Sequence, residues 1–391
     1  MPDGPDVPGS SDAASSAGSP PATIAAATAT APGEGASGGR RPGLGLVAVL
    51  VVGALLVGGG LAWWLWPDPA PAATDLEPSG DLRAHDPALV VGDEGEPWYV
   101  FSTGDVRQGL GAPQIRRSLD EGRTWEEVGT VWDASTRPDW AYEAVPGVQN
   151  FWAPEVLEHD GTWYLYYSAS TFGANRSAIG LTTSTTLDPD DPDYAWVDQG
   201  LVWSSTPGET DYNAIDPGVL VDDDGRGWMA FGSFWGGIQL VELSFPSGMP
   251  VDRDAEPVTL ASRTGAPNPI EAPYLVHRDG WYYLFFSRDF CCRGTDSTYH
   301  MAVGRSRSVT GPYVDRDGTD LVDDGGTPLL ATTGDMVGPG GQSVSHGVLA
   351  FHWYDGAAGG DITLGLRELG WDDEGWPVAT TREEQASEQA G

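Results

Sequence analysis

One unit of sequence recurs along this chain, and recurrence at a near-constant period admits few folds. The unit runs as an acid or its neighbour, a proline, an apolar pair, an Asp-Gly type turn, and an aromatic strand ending in Ser or Thr. It is read in HDPALVVGDEGEPWYVFST from His85, APEVLEHDGTWYLYYSAS from Ala153, IDPGVLVDDDGRGWMAFGS from Ile215, EAPYLVHRDGWYYLFFS from Glu271 and, with least fidelity, GQSVSHGVLAFHWYD from Gly341. The aromatic strands start at Trp98, Trp163, Trp228 and Trp281, at intervals of 65, 65 and 53 residues. That is too long for a two-stranded unit and suits four short strands. Four-stranded antiparallel units repeated around an axis leave no long open edge, which is how a β-propeller is built. Five repeats therefore predict an all-β, five-bladed β-propeller over residues 81–380. The 54 Gly, 31 Pro and 17 Trp agree with a turn-rich aromatic sheet protein. Asp-Gly pairs at Asp160, Asp224 and Asp279 sit between apolar runs, the strongest short hairpin signal. The run Asp222, Asp223, Asp224 reads as such a turn rather than a calcium loop, because the twelve-residue ligand spacing with its terminal Glu is absent.

The flanks differ from this core. Residues 1–43 are mostly Ala, Ser, Gly, Pro and Thr, a mixture expected to stay disordered. Leu44 to Trp66 is an uncharged run of 23 residues ending in LAWWLW, a candidate transmembrane helix. Arg40 and Arg41 precede it and Asp68, Asp75, Glu77 and Asp81 follow, which places the N-terminus in the cytoplasm and the propeller outside. A long signal segment cleaved near Ala70, Ala72 and Ala73 is the alternative. Residues 67–80 read as a Pro/Ala linker and 381–391 as an acidic tail. The chain carries 57 acidic against 20 basic residues, a net charge of −37, and so offers no basic face for nucleic acid.

The first strand of a propeller blade lines the central channel, so acids at corresponding places in the repeats converge near the axis. Asp86 and Asp216 stand just before their prolines, and Glu271 stands two before Pro273. Glu155 follows its proline, and alternation along a strand is expected to turn it to the other side. Hydrolysis of a glycosidic bond needs one protonated and one ionised carboxyl, with a third able to hold their pKa values apart. Acids at such positions can also simply cap turns, and spacing alone leaves both readings open.

At these residues the sequence resembles glycoside hydrolase family 43, specifically its arabinanases. The resemblance is carried by HDPALV, NFWAPEV, YNAIDPGVL, AFGSFWGGIQL, IEAPYLV, SRDFCCRGTDSTYHMAVGRS, TGPYVDRDG, VGPGGQSV and FHWYD, in order from His85 to Asp355. It implies a five-bladed propeller with Asp86 as general base, Glu271 as general acid and Asp216 tuning that acid. It also implies that His352, which alone would read as a packed histidine, faces the channel and contacts a metal, usually Ca2+ held largely through water. Glu155 stands where Asp is more usual, and GPGGQ lacks the His-Asn that many relatives carry.

The activity so implied is inverting hydrolysis of internal α-1,5-L-arabinofuranosyl bonds in arabinan or arabino-oligosaccharides, by a monomer at the extracellular face of the membrane, or secreted. The alternatives are an exo-acting α-L-arabinofuranosidase or β-xylosidase of the same family, and a non-catalytic sugar-binding propeller. Phe151, Trp152, Phe234 and Trp235 are expected to stack on sugar rings, with Asn150, Asn213 and Ser233 as hydrogen-bonding neighbours. Packing between blades is the competing role for the two tryptophans. Ser118 to Trp125 fits the Asp-box of sialidases, but no arginine stands at the starts of the repeats to hold a substrate carboxylate, so it reads as a hairpin turn. The adjacent Cys291 and Cys292 read as a vicinal disulfide or an inert packed pair.

Overall fold

The computed structural model describes residues 70–388. The expected disordered tail, the apolar span 44–66 and the first residues of the linker lie outside the described residues. Among the described residues no helix is long and apolar enough to cross a membrane.

Five antiparallel sheets follow one another along the chain. Blade 1 is built from Ala88–Val90, Trp98–Ser102, Gln114–Ser118 and Thr124–Thr130, and blade 2 from Phe151–His159, Thr162–Ala169, Ser177–Ser184 and Val197–Ser205. In blade 3, Gly218–Val221, Gly227–Phe231 and Ile238–Ser244 are completed by Met249–Pro250 and Val258–Ala261, which share the third strand as partner. Blade 4 comprises Ile270–Arg278, Trp281–Arg288, His300–Ser306 and Thr327–Leu330, and blade 5 begins with Met336–Ser345, Val348–Asp355 and Asp361–Glu368. Each first strand lies against the first strand of the next blade, and the fifth against the first, so the ring is closed.

The outermost strand of blade 5 comes from the other end of the chain. Thr74–Asp75 pairs with Glu368 and Arg367, and Ser79–Gly80 runs beside Thr124 and Trp125 of blade 1. Thr74–Asp75 and Ser79–Gly80, inside the spacer expected over 67–80, thus belong to the sheets. Two-residue pairings are too short to leave a periodic signal. The acidic tail is also partly ordered. Arg382–Glu388 forms a helix whose Glu384 carboxylate takes both Nη groups of the buried Arg367 at 2.9 and 2.8 Å.

The repeat's aromatic strand explains how the blades cohere. It is apolar at nearly every position because it is covered on both faces. In blade 2, Leu165 and Tyr167 face blade 1 while Tyr164 and Tyr166 face blade 3. In blade 4, Leu284 and Phe286 face blade 3 while Tyr283 and Phe285 face blade 5. Ala350 of blade 5 meets Val100 of blade 1 and closes the circle. Five hydrophobic clusters result, one between each pair of neighbouring blades.

The turns behave as read. Asp160-Gly161 and Asp279-Gly280 are two-residue hairpin turns with positive φ at both residues. Asp222 Oδ1 accepts the N–H groups of Asp224 and Arg226, and Oδ2 accepts the Trp228 indole N–H, so this acid organises a turn. In the Asp-box, Asp120 Oδ1 accepts from Thr124 N–H at 2.7 Å and the buried Trp125 donates to Gly122 O at 2.8 Å. It staples the outer hairpin of blade 1.

Candidate active site

The site is built where the five inner strands begin. Asp86, Ala153, Asp216, Ala272 and Gly341 hold the same place in their repeats, and all five have left-handed backbone, with φ of 50, 42, 58, 51 and 58°. Aspartate is enriched in that conformation, which suits its presence at two of the five. The bend suspends strict alternation, so Glu271, one residue before Ala272, meets the two aspartates. Below them, the five residues and the side chains that follow line a cavity of about 30 Å3 on the axis, room for roughly two waters.

Asp86 is held from several sides. His85 Nδ1–H donates to Oδ2 at 2.7 Å, and Thr103 Oγ1 donates to the same oxygen at 2.8 Å. Burial pushes the Asp86 carboxyl up, but the His85 charge and hydrogen bond, helped by His352 and Thr103, outweigh it and hold the pKa at about 2. Burial likewise opposes the His85 imidazolium, and Asp86, with Glu271 behind it, reverses the sign and raises its pKa. Glu271 and Asp216 are shifted upward. Burial is the main cause for both, and the negative charge of Asp86 adds to it. Ser233 Oγ donates to Glu271 Oε2 at 2.6 Å, and Ala272 N–H donates to Asp216 Oδ2 at 3.2 Å, each opposing the rise. One carboxyl shifted downward thus faces a pair shifted upward.

His352 is fully buried, stacked between His85 at 3.8 Å and Tyr299 at 5.8 Å. Its Nδ1 accepts Asp86 N–H at 3.2 Å and stands 3.5 Å from Asp86 Oδ1. Burial, then the charge of His85, lowers its pKa to about 3, so the ring is neutral. Its Nε2 is buried with no hydrogen-bond partner among the described residues.

The residues expected to bind sugar divide. Trp235 is 39 % exposed, and Phe234, Trp152 and Asn150 are half-buried, with Asn150 Oδ1 taking Val106 N–H. Phe151 is corrected to a core residue. It is 0 % exposed and packs edge-on against Trp132, Tyr142 and Tyr167. Asn213 is also buried, its Oδ1 accepting from Ser177 Oγ at 2.7 Å. Ser233 spends its hydroxyl on Glu271 rather than facing open solvent. Glu155 stays out of the acid cluster but lines the axial cavity, its carboxyl pushed well up by burial beside Val219 N–H and Tyr274. Sequence reasoning overlooked His85, Thr103 and Tyr354. His85 was within reach, since it adjoins Asp86 in HDP, whereas Tyr354 meets it across 269 residues. The cysteines are joined as a vicinal disulfide, with Cys292 exposed near His85.

A propeller that gathers carboxyls of opposite pKa shift at its axis is equipped as a glycoside hydrolase. The model of glycosyl hydrolases family 43 matches residues 108–377, and this chain belongs to that family. Asp86 lies upstream of the matched range, but its hydrogen bonds place it at the same centre. An extracellular exo-α-(1→5)-L-arabinofuranosidase of Cellvibrio japonicus is 39 % identical over 320 residues, covering 77 % of this chain and 88 % of that protein. An extracellular endo-α-(1→5)-L-arabinanase of Bacillus subtilis is 39 % identical over 311 residues, covering 79 % and 91 %. The solved endo-arabinanase of Bacillus licheniformis superposes with a TM-score of 0.70 at 39 % identity, covering 77 % of this chain and 99 % of that one.

Two substitutions test the site. A Cβ on Gly341 would stand 2.5 Å from Asp86 Oδ1 and 2.7 Å from His352 Nδ1. Gly341→Ala should lower kcat about a hundredfold with little change in KM, since misplacing a reacting group by an ångström costs on that order. Ser233→Ala removes a hydrogen bond that lowers the Glu271 pKa. The acid then keeps its proton to higher pH, and the alkaline limb of the kcat/KM profile should move up.

Proposed function

We propose that this protein hydrolyses internal α-1,5-L-arabinofuranosyl bonds of arabinan with inversion of configuration, outside the cell. The observation that carries this reading is the split among the axial carboxyls, with Asp86 ionised and Glu271 shifted upward beside Asp216. Glu271 protonates the leaving oxygen, and Asp86 takes a proton from the attacking water. Asp216 shares the buried negative charge with Glu271 and orients the sugar. Trp235, Phe234 and Trp152 offer aromatic faces to the furanose rings, and the net charge of −37 favours a neutral polymer over an anionic one. Extracellular action is supported by the names of the Cellvibrio and Bacillus relatives. The span 44–66 then serves as anchor or as export signal, and the enzyme acts as a monomer.

Digestion of debranched arabinan followed by proton NMR tests both halves of the proposal. The inverted anomer should form first, together with a ladder of oligosaccharides. Initial formation of the retained anomer would remove Asp86 as base. A single short product would assign exo action, and binding without new reducing ends would assign a non-catalytic propeller.

Calcium is proposed as a resident cation. The residues fit once the ring gives up the Asp86 N–H bond: His352 is neutral, its buried Nε2 lacks a partner among the described residues, and moving the proton to Nδ1, 3.5 Å from Asp86 Oδ1, frees the Nε2 lone pair. One imidazole nitrogen is a sparse donor set, which suits a hard cation that keeps most of its waters. When bound, the ion supplies positive charge that eases the crowding of the three acids. Dialysis against a chelator should lower the melting temperature and calcium should restore it, with metal content followed by elemental analysis. Unchanged melting and no bound metal would strike the cation from this account.

A further inference from the structure

Beside the acids, an unbroken line of contacts runs from an exposed covalent bond to the reacting carboxylate. Cys292, next to its disulfide partner Cys291, has left-handed backbone with φ of 67°. Its N–H donates to Tyr354 Oη at 2.8 Å. That oxygen stands 3.1 Å from His85 Nε2, and Cys292 Sγ lies 3.8 Å from the same nitrogen. At the far side of the ring, His85 Nδ1–H meets Asp86 Oδ2 at 2.7 Å. Tyr354 is 2 % exposed and His85 stacks on His352 at 3.8 Å, so packing restrains both rings.

The direction of each hydrogen bond follows from chemistry. Cys292 N–H can only donate, so Tyr354 Oη accepts there and aims its remaining hydrogen-bonding capacity at His85. A neutral His85 accepts the phenolic proton at Nε2 and a charged one donates to the oxygen. In both forms Nδ1–H points at Asp86.

The geometry points to the Cys291–Cys292 disulfide and Tyr354 as positioning residues for the hydrolysis. The bridge fixes the Cys292 N–H, this fixes the phenol, the phenol sets the rotation of His85, and His85 sets the Asp86 carboxylate. None of these groups other than Asp86 needs to touch the sugar. The inference rests on the assignment of Asp86 as general base.

Three variants on an arabino-oligosaccharide substrate test it: Tyr354→Phe, which keeps the ring and removes the hydroxyl; Cys291→Ala with Cys292→Ala; and all three changes together. Each of the first two should lower kcat about tenfold with KM within about twofold, the signature of a misplaced reacting group rather than lost binding. Because both act through one chain of contacts, the triple variant should lose no more than the worse of the two. A Tyr354→Phe enzyme at full kcat, or a triple variant whose loss is the product of the separate losses, overturns the inference.

A second arm does not depend on the variants folding. A trialkylphosphine applied to the wild type reduces the S–S bond to two thiols, and the phosphine becomes its oxide with oxygen and protons from water. With reduction verified by thiol count, kcat should fall with KM held, and reoxidation by a small-molecule disulfide, itself reduced to two thiols, should restore it. Fully reduced enzyme at unchanged kcat overturns the inference. Asp86→Asn serves as the separate control: an active Asp86→Asn enzyme defeats the base assignment, whereas an inactive one beside an unaffected Tyr354→Phe defeats only the positioning chain.

Discussion

Five inner strands begin around one axis, and at each start the backbone is forced into the left-handed region. Four of those five residues are not glycine, and each non-glycine residue so held costs on the order of 1 kcal/mol or more. The five clusters between blades offset that cost, because closing the ring buries both faces of every aromatic strand at once. The bend at each strand start then turns side chains toward the axis that a regular strand would alternate. The cluster of acids at the axis is therefore a product of ring closure, rather than a feature of any single blade.

Three carboxyls crowded into one buried mouth would normally resist ionisation together. The site separates them by neighbours. Asp86 is given an imidazole, a hydroxyl and a second histidine ring, and burial is overcome. Asp216 and Glu271 are given one amide and two hydroxyls between them, and burial prevails. The Asp86 carboxyl is thus shifted down to about 2, while burial and the Asp86 charge shift Glu271 and Asp216 up. Gly341 belongs to the same design in a steric sense: only a residue without a side chain lets the inner strand of blade 5 pass between Asp86 and His352.

Much of this was legible in the sequence. The recurrence of acid, proline, turn and aromatic strand disclosed five blades and brought Asp86, Asp216 and Glu271 toward the axis, but spacing could not tell catalytic acids from turn caps, and only the family resemblance assigned them roles. What was hidden has physical causes. A strand buried on both faces is apolar throughout, so Phe151 in the core and Trp235 at the rim carry the same signature. Asn213 and Ser177 form a buried pair that no local pattern announces. His85 reads as an ordinary neighbour of Asp86 until the fold brings Tyr354 to its other nitrogen. The pairing of Thr74–Asp75 with the end of blade 5 rests on backbone groups alone, to which side-chain identity is nearly indifferent.

That last pairing also bears on how the domain comes into being. Residues near Thr74 find their partners at Arg367 and Glu368, almost three hundred positions later, and Ala73 N–H bonds to Thr380 O. Blade 1 has no closed neighbour on one side until blade 5 exists, and blade 5 has no outer strand until the start of the domain returns to it. Folding from one end as the chain emerges cannot complete such a ring. A domain delivered across a membrane in extended form would stay open, its first strands waiting, until its final blade had crossed.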